Sequence, residues 1–138
     1  LTQLVADLRE TEEIPPDAVI VEMQTASSFC FDAEHLRQIL WNLIKNAWRH
    51  SRQQTGSLHI VLRSQASQLQ LEVHDDGAGV SDDQQVKLFE PFFTTDSRGT
   101  GLGLFLAREL GDANGASLSF VPETPGTVFR LTLRAGDC

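Results

Sequence analysis

The sequence predicts an α+β protein, a two-layer α/β sandwich in which helices cover one face of a mixed, mostly antiparallel sheet. Three observations predict it. Six short stretches, at 18–23, 28–31, 58–63, 69–74, 117–121 and 127–133, alternate apolar and polar residues or are rich in β-branched ones. One long segment instead repeats its apolar residues at helical spacing. Strands and helices also follow one another without the regular strand-helix alternation of a doubly wound fold.

Residues 1–10 read as the end of a helix that belongs to a preceding domain, and the Pro15-Pro16 pair within 12–17 marks the break after it. Residues 11–138 then make one domain. Leu36, Ile39, Leu40, Leu43, Ile44 and Ala47 recur at helical spacing behind Asp32, a good N-cap residue, which predicts a helix over 33–49. Ser81 with Gln84 three residues on forms a capping-box pattern ahead of Val86, Leu88 and Phe89, so a short helix follows Val80. A further helix is predicted over 101–113, closed by Asn114-Gly115. Strand pairs separated by short polar turns are expected to be antiparallel neighbours.

At 138 residues, 41% hydrophobic and 22% charged, the chain fits one core-forming domain. It opens at Leu1 and its one methionine is Met23, so it is expected to be a piece of a longer protein. No stretch approaches the ~20 apolar residues of a membrane span. The piece is expected not to be membrane-bound and to lie in the cytoplasm, which leaves an inner-membrane anchor elsewhere in the parent open. Cys30 and Cys138 are far apart and form no metal-ligand pattern, and a reduced state is expected for both. Eleven Lys and Arg against nineteen Asp and Glu give a net charge of −8, which argues against a nucleic acid partner.

On the long helix, Asn42, Asn46 and Arg49 stand at i, i+4 and i+7, one stripe beside the apolar face. Asparagine is a poor helix former, and two on one stripe cost a few tenths of a kcal/mol each unless something offsets them. A hard cation would, since Mg²⁺ accepts neutral carbonyl oxygens and keeps several waters. Taken alone, the pair is better explained as solvent-facing. Asp75-Asp76-Gly77-Ala78-Gly79 puts a carboxylate at a strand end, where two glycines allow the backbone to bend closely around a ligand. A buried carboxylate there could accept a hydrogen bond from an exocyclic adenine amine, although the segment is also a good turn. Gly99-Thr100-Gly101-Leu102-Gly103-Leu104 opens a helix, so backbone N–H groups and the positive end of the helix dipole face a ligand, and phosphate is the natural occupant. The spacing is neither a Rossmann fingerprint nor a P-loop. Phe89-Glu90-Pro91-Phe92-Phe93 precedes a small polar segment and looks like an aromatic anchor for a ligand-dependent lid hinged at Gly99. Gly126-Thr127 alone is no more than a turn entering a strand.

Together these segments resemble the catalytic, ATP-binding domain of two-component sensor histidine kinases, in the superfamily shared with gyrase, heat-shock chaperones and the MutL mismatch-repair proteins. Residues 36–51 look like its N box, 75–80 like its first glycine box, 88–93 like its F box and 99–104 like its second glycine box. The wording of 89–95 and 99–104, with Ala107-Arg108-Glu109-Leu110 and Ala113-Asn114-Gly115-Ala116, is similar to the nitrogen-regulation and type IV pilus sensor class. The resemblance implies the Bergerat ATP-binding fold with ATP and Mg²⁺ as cofactors. It implies that Asn46 coordinates Mg²⁺, Asn42 supports the metal or phosphates, Arg49 reaches a phosphate and His50 packs near the adenine or ribose. Asp75 would read the adenine amine beside Gly77 and Gly79, with Thr127 a second adenine contact through water. Gly99, Thr100 and the backbone from Gly101 through Leu102 and Gly103 to Leu104 would cradle the phosphates, and Arg98 would meet the γ-phosphate. His50 and Arg49 stand where family members often carry tyrosine or phenylalanine and lysine, which keeps a ring and a positive charge.

In the ATPase branch a glutamate one turn before the metal-binding asparagine activates water, and here that place holds Asn42, whose amide cannot take a proton. Asn42 therefore favours transfer of the phosphoryl group over hydrolysis. His35, His50, His59 and His74 lack the family's phosphoacceptor pattern. The acceptor histidine would come from a dimerisation domain whose last helix ends in residues 1–10, and the phosphate would pass to a response regulator. A superfamily ATPase and a non-catalytic nucleotide sensor remain as alternatives.

Overall fold

Five segments with alternating apolar residues pair into one sheet in the computed structural model, which describes residues 1–94, 101–122 and 126–136. The strands are β1 (Val19–Met23), β2 (Leu58–Gln65), β3 (Gln68–Asp75), β4 (Ser117–Pro122) and β5 (Thr127–Arg134). Their spatial order is β1-β2-β3-β5-β4, parallel at β1–β2 and antiparallel at the other three junctions. The mixed, mostly antiparallel sheet is thus as predicted.

Register decides what each face carries, because residues directly opposite one another share a face. Leu58, Ile60 and Leu62 stand opposite Asp75, Val73 and Leu71, which in turn oppose Thr127, Phe129 and Leu131. These rows are apolar and buried except at one end, where Asp75 and Thr127 close them.

The helix α2 (Ala33–His50) covers this face with Ile39, Leu40, Leu43, Ile44 and Ala47, all buried. Its start is set by Asp32, whose Oδ1 accepts a hydrogen bond from the His35 N–H at 2.9 Å. Beside it α4 (Gly103–Ala113) buries Ala107 and Gly111. α1 (Thr2–Thr11) adds Val5 and Leu8 to the same core. The linker after α1 is pinned by the Trp41 indole N–H, which donates to Glu12, while Lys45 Nζ sits 4.2 Å above the Trp41 ring. α3 (Asp82–Gln85) is a single turn, capped by Ser81 as its sequence predicts.

Two elements differ from the sequence reading. Residues 28–31 form no strand. Phe29 and Phe31 do pack against the core. The backbone around them pairs with single groups instead of a ladder: Ser28 O accepts from Gly136 N–H, and Asp32 N–H donates to Asn114 Oδ1. The helix predicted to start at 101 starts at Gly103, because Gly101 has φ +75°, outside the helical region. Cys30 is disulfide-bonded, where a thiol is expected from the sequence.

The opposite face of the sheet carries Glu72, buried among cations. Arg130 Nε donates to its Oε2 at 2.7 Å, His74 Nε2 lies 3.0 Å from its Oε1, and Arg63 pairs with the same oxygen. Burial alone pushes this carboxyl up, and the bonds from Arg130 and His74 with the charge of Arg63 more than offset it, holding it below the usual range.

Asn114 joins the end of α4 to the start of α2. Its Nδ2 donates to Leu110 O at 2.8 Å and lies 2.9 Å from His35 Nδ1, while its Oδ1 accepts the Asp32 N–H at 3.0 Å. Asn114→Ala removes all three contacts and is predicted to cost about 1–2 kcal/mol in urea unfolding. A change below about 0.5 kcal/mol, the level of an ordinary surface substitution, would show that the helices do not depend on it.

Candidate functional site

A cleft of about 470 Å³ opens where α2, the ends of β3 and β5, and the start of α4 meet. One wall is the polar stripe of α2: Asn42, Lys45, Asn46, Arg49 and His50 all line it. The floor is Asp75 and Thr127, cross-strand partners at the terminus of the sheet. Gly79 and Val80 form one rim, and Gly101, Leu102, Gly103 and Leu104 form the far end. Sequence-predicted residues from four separate segments are therefore brought to one cavity. Gly77 does not line the cleft but stands behind it, against α2. Arg98, Gly99 and Thr100 lie outside the described residues.

Asp75 is 7% exposed, and its Oδ1 accepts the Gly77 N–H at 2.9 Å. Burial pushes its carboxyl up from the ordinary range, against the opposing pull of the Gly77 bond and of His50. The bond fixes the carboxylate's direction and leaves lone pairs for a ligand's N–H.

Gly77 is glycine for a steric reason. A Cβ there would lie 2.1 Å from the carbonyl oxygen of His50, so the loop after β3 can touch the end of α2 only without a side chain. At the other end of the cleft Gly101 combines φ +75° with a position where a Cβ would lie 2.3 Å from the Phe92 backbone. Its carbonyl accepts the Phe92 N–H at 2.8 Å, which ties the F-box segment to the entrance of α4.

α4 begins at Gly103 with no side-chain cap. Its first turn therefore presents backbone N–H groups and the positive dipole end beside the cleft, an arrangement that suits an anion. Asn42 faces that turn: a Cβ on Gly103 would lie 3.3 Å from Asn42 Oδ1. Asn42 is 8% exposed, and its Nδ2 is buried with no hydrogen-bond partner. An orphaned buried donor costs about 1–3 kcal/mol, which a ligand oxygen would relieve. A donor suits a phosphate oxygen or a water better than it suits a cation.

Asn46 brings a neutral amide oxygen into the same wall. Among the described residues no group of three or more His, Cys, Asp or Glu could hold a metal. The donor set fits Mg²⁺ only as an ion carried in with phosphates and waters, and Asn46 is the lining amide that would hold it.

The aromatic segment is anchored by Phe89, whose ring meets Phe129 edge-on at 6.0 Å and lies 5.2 Å under the Arg108 guanidinium. Phe92 turns outward with φ +68° and is 74% exposed. The sequence reading did not single out Lys45 or Leu106, and it read Gln84 only as a capping partner and Phe93 and Thr94 only as parts of the aromatic anchor and lid, yet all five line the cleft. Lys45 was reachable from the sequence, since it stands three residues after Asn42 on the same helix face. The others depend on how the loops fold back.

Residues 31–137 match the family of histidine kinase-, DNA gyrase B-, and HSP90-like ATPases. The sensor protein kinase PilS of Pseudomonas aeruginosa is 47% identical over 106 residues, which cover 73% of this chain and 20% of PilS. The chain spans about a fifth or less of the length of the curated relatives it matches. Among solved structures, the mycobacterial sensor histidine kinase MprB aligns with TM-score 0.80 at 21% identity, covering 99% of this chain and 95% of that one. Full-length ShkA in complex with AMPPNP aligns with TM-score 0.79 at 24% identity, covering 99% and 30%. Likeness at those identities carries the fold, and it is the same two-layer arrangement. With four boxes of sequence converging on one cleft and the family match spanning that cleft, the chain belongs to the histidine kinase-, DNA gyrase B-, and HSP90-like ATPase family, in the branch of ATP-binding catalytic domains of sensor histidine kinases.

Proposed function

We propose that this domain binds Mg-ATP and donates the γ-phosphoryl group to a histidine on a separate dimerisation domain, from which it passes to a response regulator in the cytoplasm. The observation that carries the reading is Asn42. One helical turn before Asn46 the cleft presents an amide, and the one carboxylate among its described lining residues is Asp75, at the end of the sheet and bonded to Gly77. Among the described residues, no lining carboxylate is therefore placed beside the phosphate end to take a proton from water.

The roles follow from position. Asp75 accepts the exocyclic amine of adenine, and Thr127 next to it offers a hydroxyl to the same edge through water. His50 packs beside the adenine or ribose, and Arg49 supplies positive charge toward a phosphate. Asn42 Nδ2 donates to a phosphate oxygen, and the uncapped start of α4, with the backbone from Gly101 to Leu104, receives the others. Mg²⁺, held by Asn46 and the phosphates, would supply charge stabilisation during phosphoryl transfer. Arg98 is kept as the candidate for the γ-phosphate, with Gly99 and Thr100 as further phosphate contacts.

The nucleophile comes from outside. His35 is engaged by Asn114, His59 lies 2.9 Å from Glu22, and His74 lies against Glu72 on the far face of the sheet. His50 lines the nucleotide cleft itself. Residues 1–10, all but the first of which lie in α1, are read as the tail of the helix leading from the acceptor domain.

Mixing this chain with Mg-ATP and a domain bearing the acceptor histidine is expected to yield acid-labile phosphate on that domain, with hydrolysis near background in its absence. Steady-state hydrolysis by this chain alone, lost in Asn46→Ala, would point to an ATPase, and binding without transfer would point to a nucleotide sensor. Asn46→Ala is expected to abolish the Mg²⁺-dependent part of ATP affinity while the thermal transition persists. Equal affinity with and without the substitution, measured by calorimetry in Mg²⁺, removes Asn46 as the ligand.

Asp75 gives a prediction with two opposite signs. A carboxyl whose folded pKa lies above its ordinary 3.8 binds its proton more tightly when folded, so its contribution to stability is lost as pH rises through the raised value. At neutral pH the buried charge is a net cost to the empty domain. Asp75→Asn keeps the acceptor for Gly77 and removes that cost, so the melting temperature at pH 7 is expected to rise. The same change weakens ADP by about 1.5–3 kcal/mol, roughly ten- to a hundredfold, through the lost charged hydrogen bond. Binding of pyrophosphate is expected to be unaffected, and equal losses for both ligands would rule out adenine reading.

A further inference from the structure

Asp76 follows the adenine-reading Asp75, yet both of its carboxylate oxygens face away from the cleft's ligand space and into the protein. Oδ1 accepts the backbone N–H of Arg52 at 2.9 Å, and Oδ2 accepts the hydroxyl of Ser57 at 2.8 Å. Ser57 is 2% exposed, and its oxygen in turn accepts the Gln54 N–H at 2.9 Å. One side chain thus gathers both ends of the 52–57 loop that connects α2 to β2. That loop leaves α2 directly after Arg49 and His50, two residues of the cleft wall.

We propose that Asp76 is a positioning residue for the nucleotide: by holding the 52–57 loop against the loop after β3, it sets how closely His50 and Arg49 stand to Asp75. The inference rests on the nucleotide reading of the cleft. It is carried by a close approach and a tether at one spot. The His50 carbonyl occupies the space where a Gly77 side chain would be, 2.1 Å from a hypothetical Cβ, so the two segments stand this close only because residue 77 is glycine. The two bonds to Asp76, one residue from Gly77, hold them at that distance. Without the carboxylate the Ser57 hydroxyl loses its acceptor in a buried place, and the loop is released from the end of α2. The adenine and ribose end of the cleft then opens. The phosphate end, built by Asn42 and the start of α4, has no bond to Asp76 and keeps its geometry.

The test compares ligands that sample the two ends, Mg-ADP and Mg-pyrophosphate, by calorimetry on this chain. Asp76→Ala is expected to weaken ADP roughly tenfold, the loss of about one charged hydrogen bond's worth of positioning, and to leave pyrophosphate within about twofold. Asp76→Asn retains an acceptor for Arg52 N–H, and its amide can meet the rotatable Ser57 hydroxyl, so ADP affinity should return to within about threefold of the unsubstituted chain. Ser57→Ala should weaken ADP less than Asp76→Ala and add nothing on top of it, as expected for two members of one network. Unchanged ADP binding in Asp76→Ala overturns the proposal. Equal losses for ADP and pyrophosphate overturn it too, because they mean general loosening, and an Asp76→Asn protein as weak as Asp76→Ala replaces positioning with a charge effect. If Asp76→Ala does not fold, Ser57→Ala decides: a selective loss for ADP supports the proposal and none refutes it. Failure of the unsubstituted chain to bind Mg-ADP would instead refute the nucleotide reading itself.

Discussion

A carboxylate buried at the end of a sheet is the constraint on which the rest of the structure depends. Asp75 occupies the last position of the same row that places Leu71 and Val73 in the core, so the strand's alternation puts it there at no cost in register. The cost is in solvation, since a carboxylate at 7% exposure has lost most of its water. What surrounds it answers that cost in part. Gly77 supplies a backbone donor and His50 a polar ring from the end of α2. The remaining valence is open to the cleft. On the nucleotide reading proposed above, a ligand's N–H would complete this carboxylate.

The sheet's other face solves a similar problem without leaving a vacancy. Glu72 is more deeply buried than Asp75, but two guanidinium groups and an imidazole meet it, and its carboxyl is held down where that of Asp75 is pushed up. Both residues stand on β3 and are three positions apart, which puts them on opposite faces. Opposite shifts on neighbouring carboxylates separate a structural ion cluster from a functional one. A chain with net charge −8 spends its scarce cations on the structural cluster and on the nucleotide wall, where Lys45 and Arg49 stand.

Much of this was legible in the sequence, and what was not shares a cause. The α2 stripe was readable because helical spacing fixes which residues share a face, and Asn42, Asn46 and Arg49 indeed line one wall. The four boxes were readable because their order along the chain is specific. Residues 28–31 were misread because alternation of Phe29 and Phe31 describes an extended segment equally well whether or not a neighbouring strand exists to pair with it. The parallel pairing of β1 with β2 has no local signature. Gly77 was read as freedom for a loop to approach a ligand, whereas its immediate reason is the His50 carbonyl. Gln84 and Leu106 join the cleft through tertiary folding. Each of these features depends on contacts between segments far apart in sequence, which periodicity and composition do not encode.

Asn42 shows how the cleft's incompleteness bears on chemistry. Its Nδ2 is buried without a partner, so the empty domain carries an unfavourable term at the phosphate end as well as at Asp75. On the nucleotide reading proposed above, a bound nucleotide would relieve both at once. A glutamate in the same place would be an acceptor: it would repel phosphate, and it would take a proton from water. An amide attracts phosphate and leaves water alone. The substitution of one functional group thus changes two things in the same direction, raising the hold on the triphosphate and removing the means to hydrolyse it. On the phosphotransfer reading proposed above, a domain that keeps ATP intact for a histidine supplied from elsewhere needs both, and a single asparagine on a helix already fixed by Leu40, Leu43 and Ile44 would supply them.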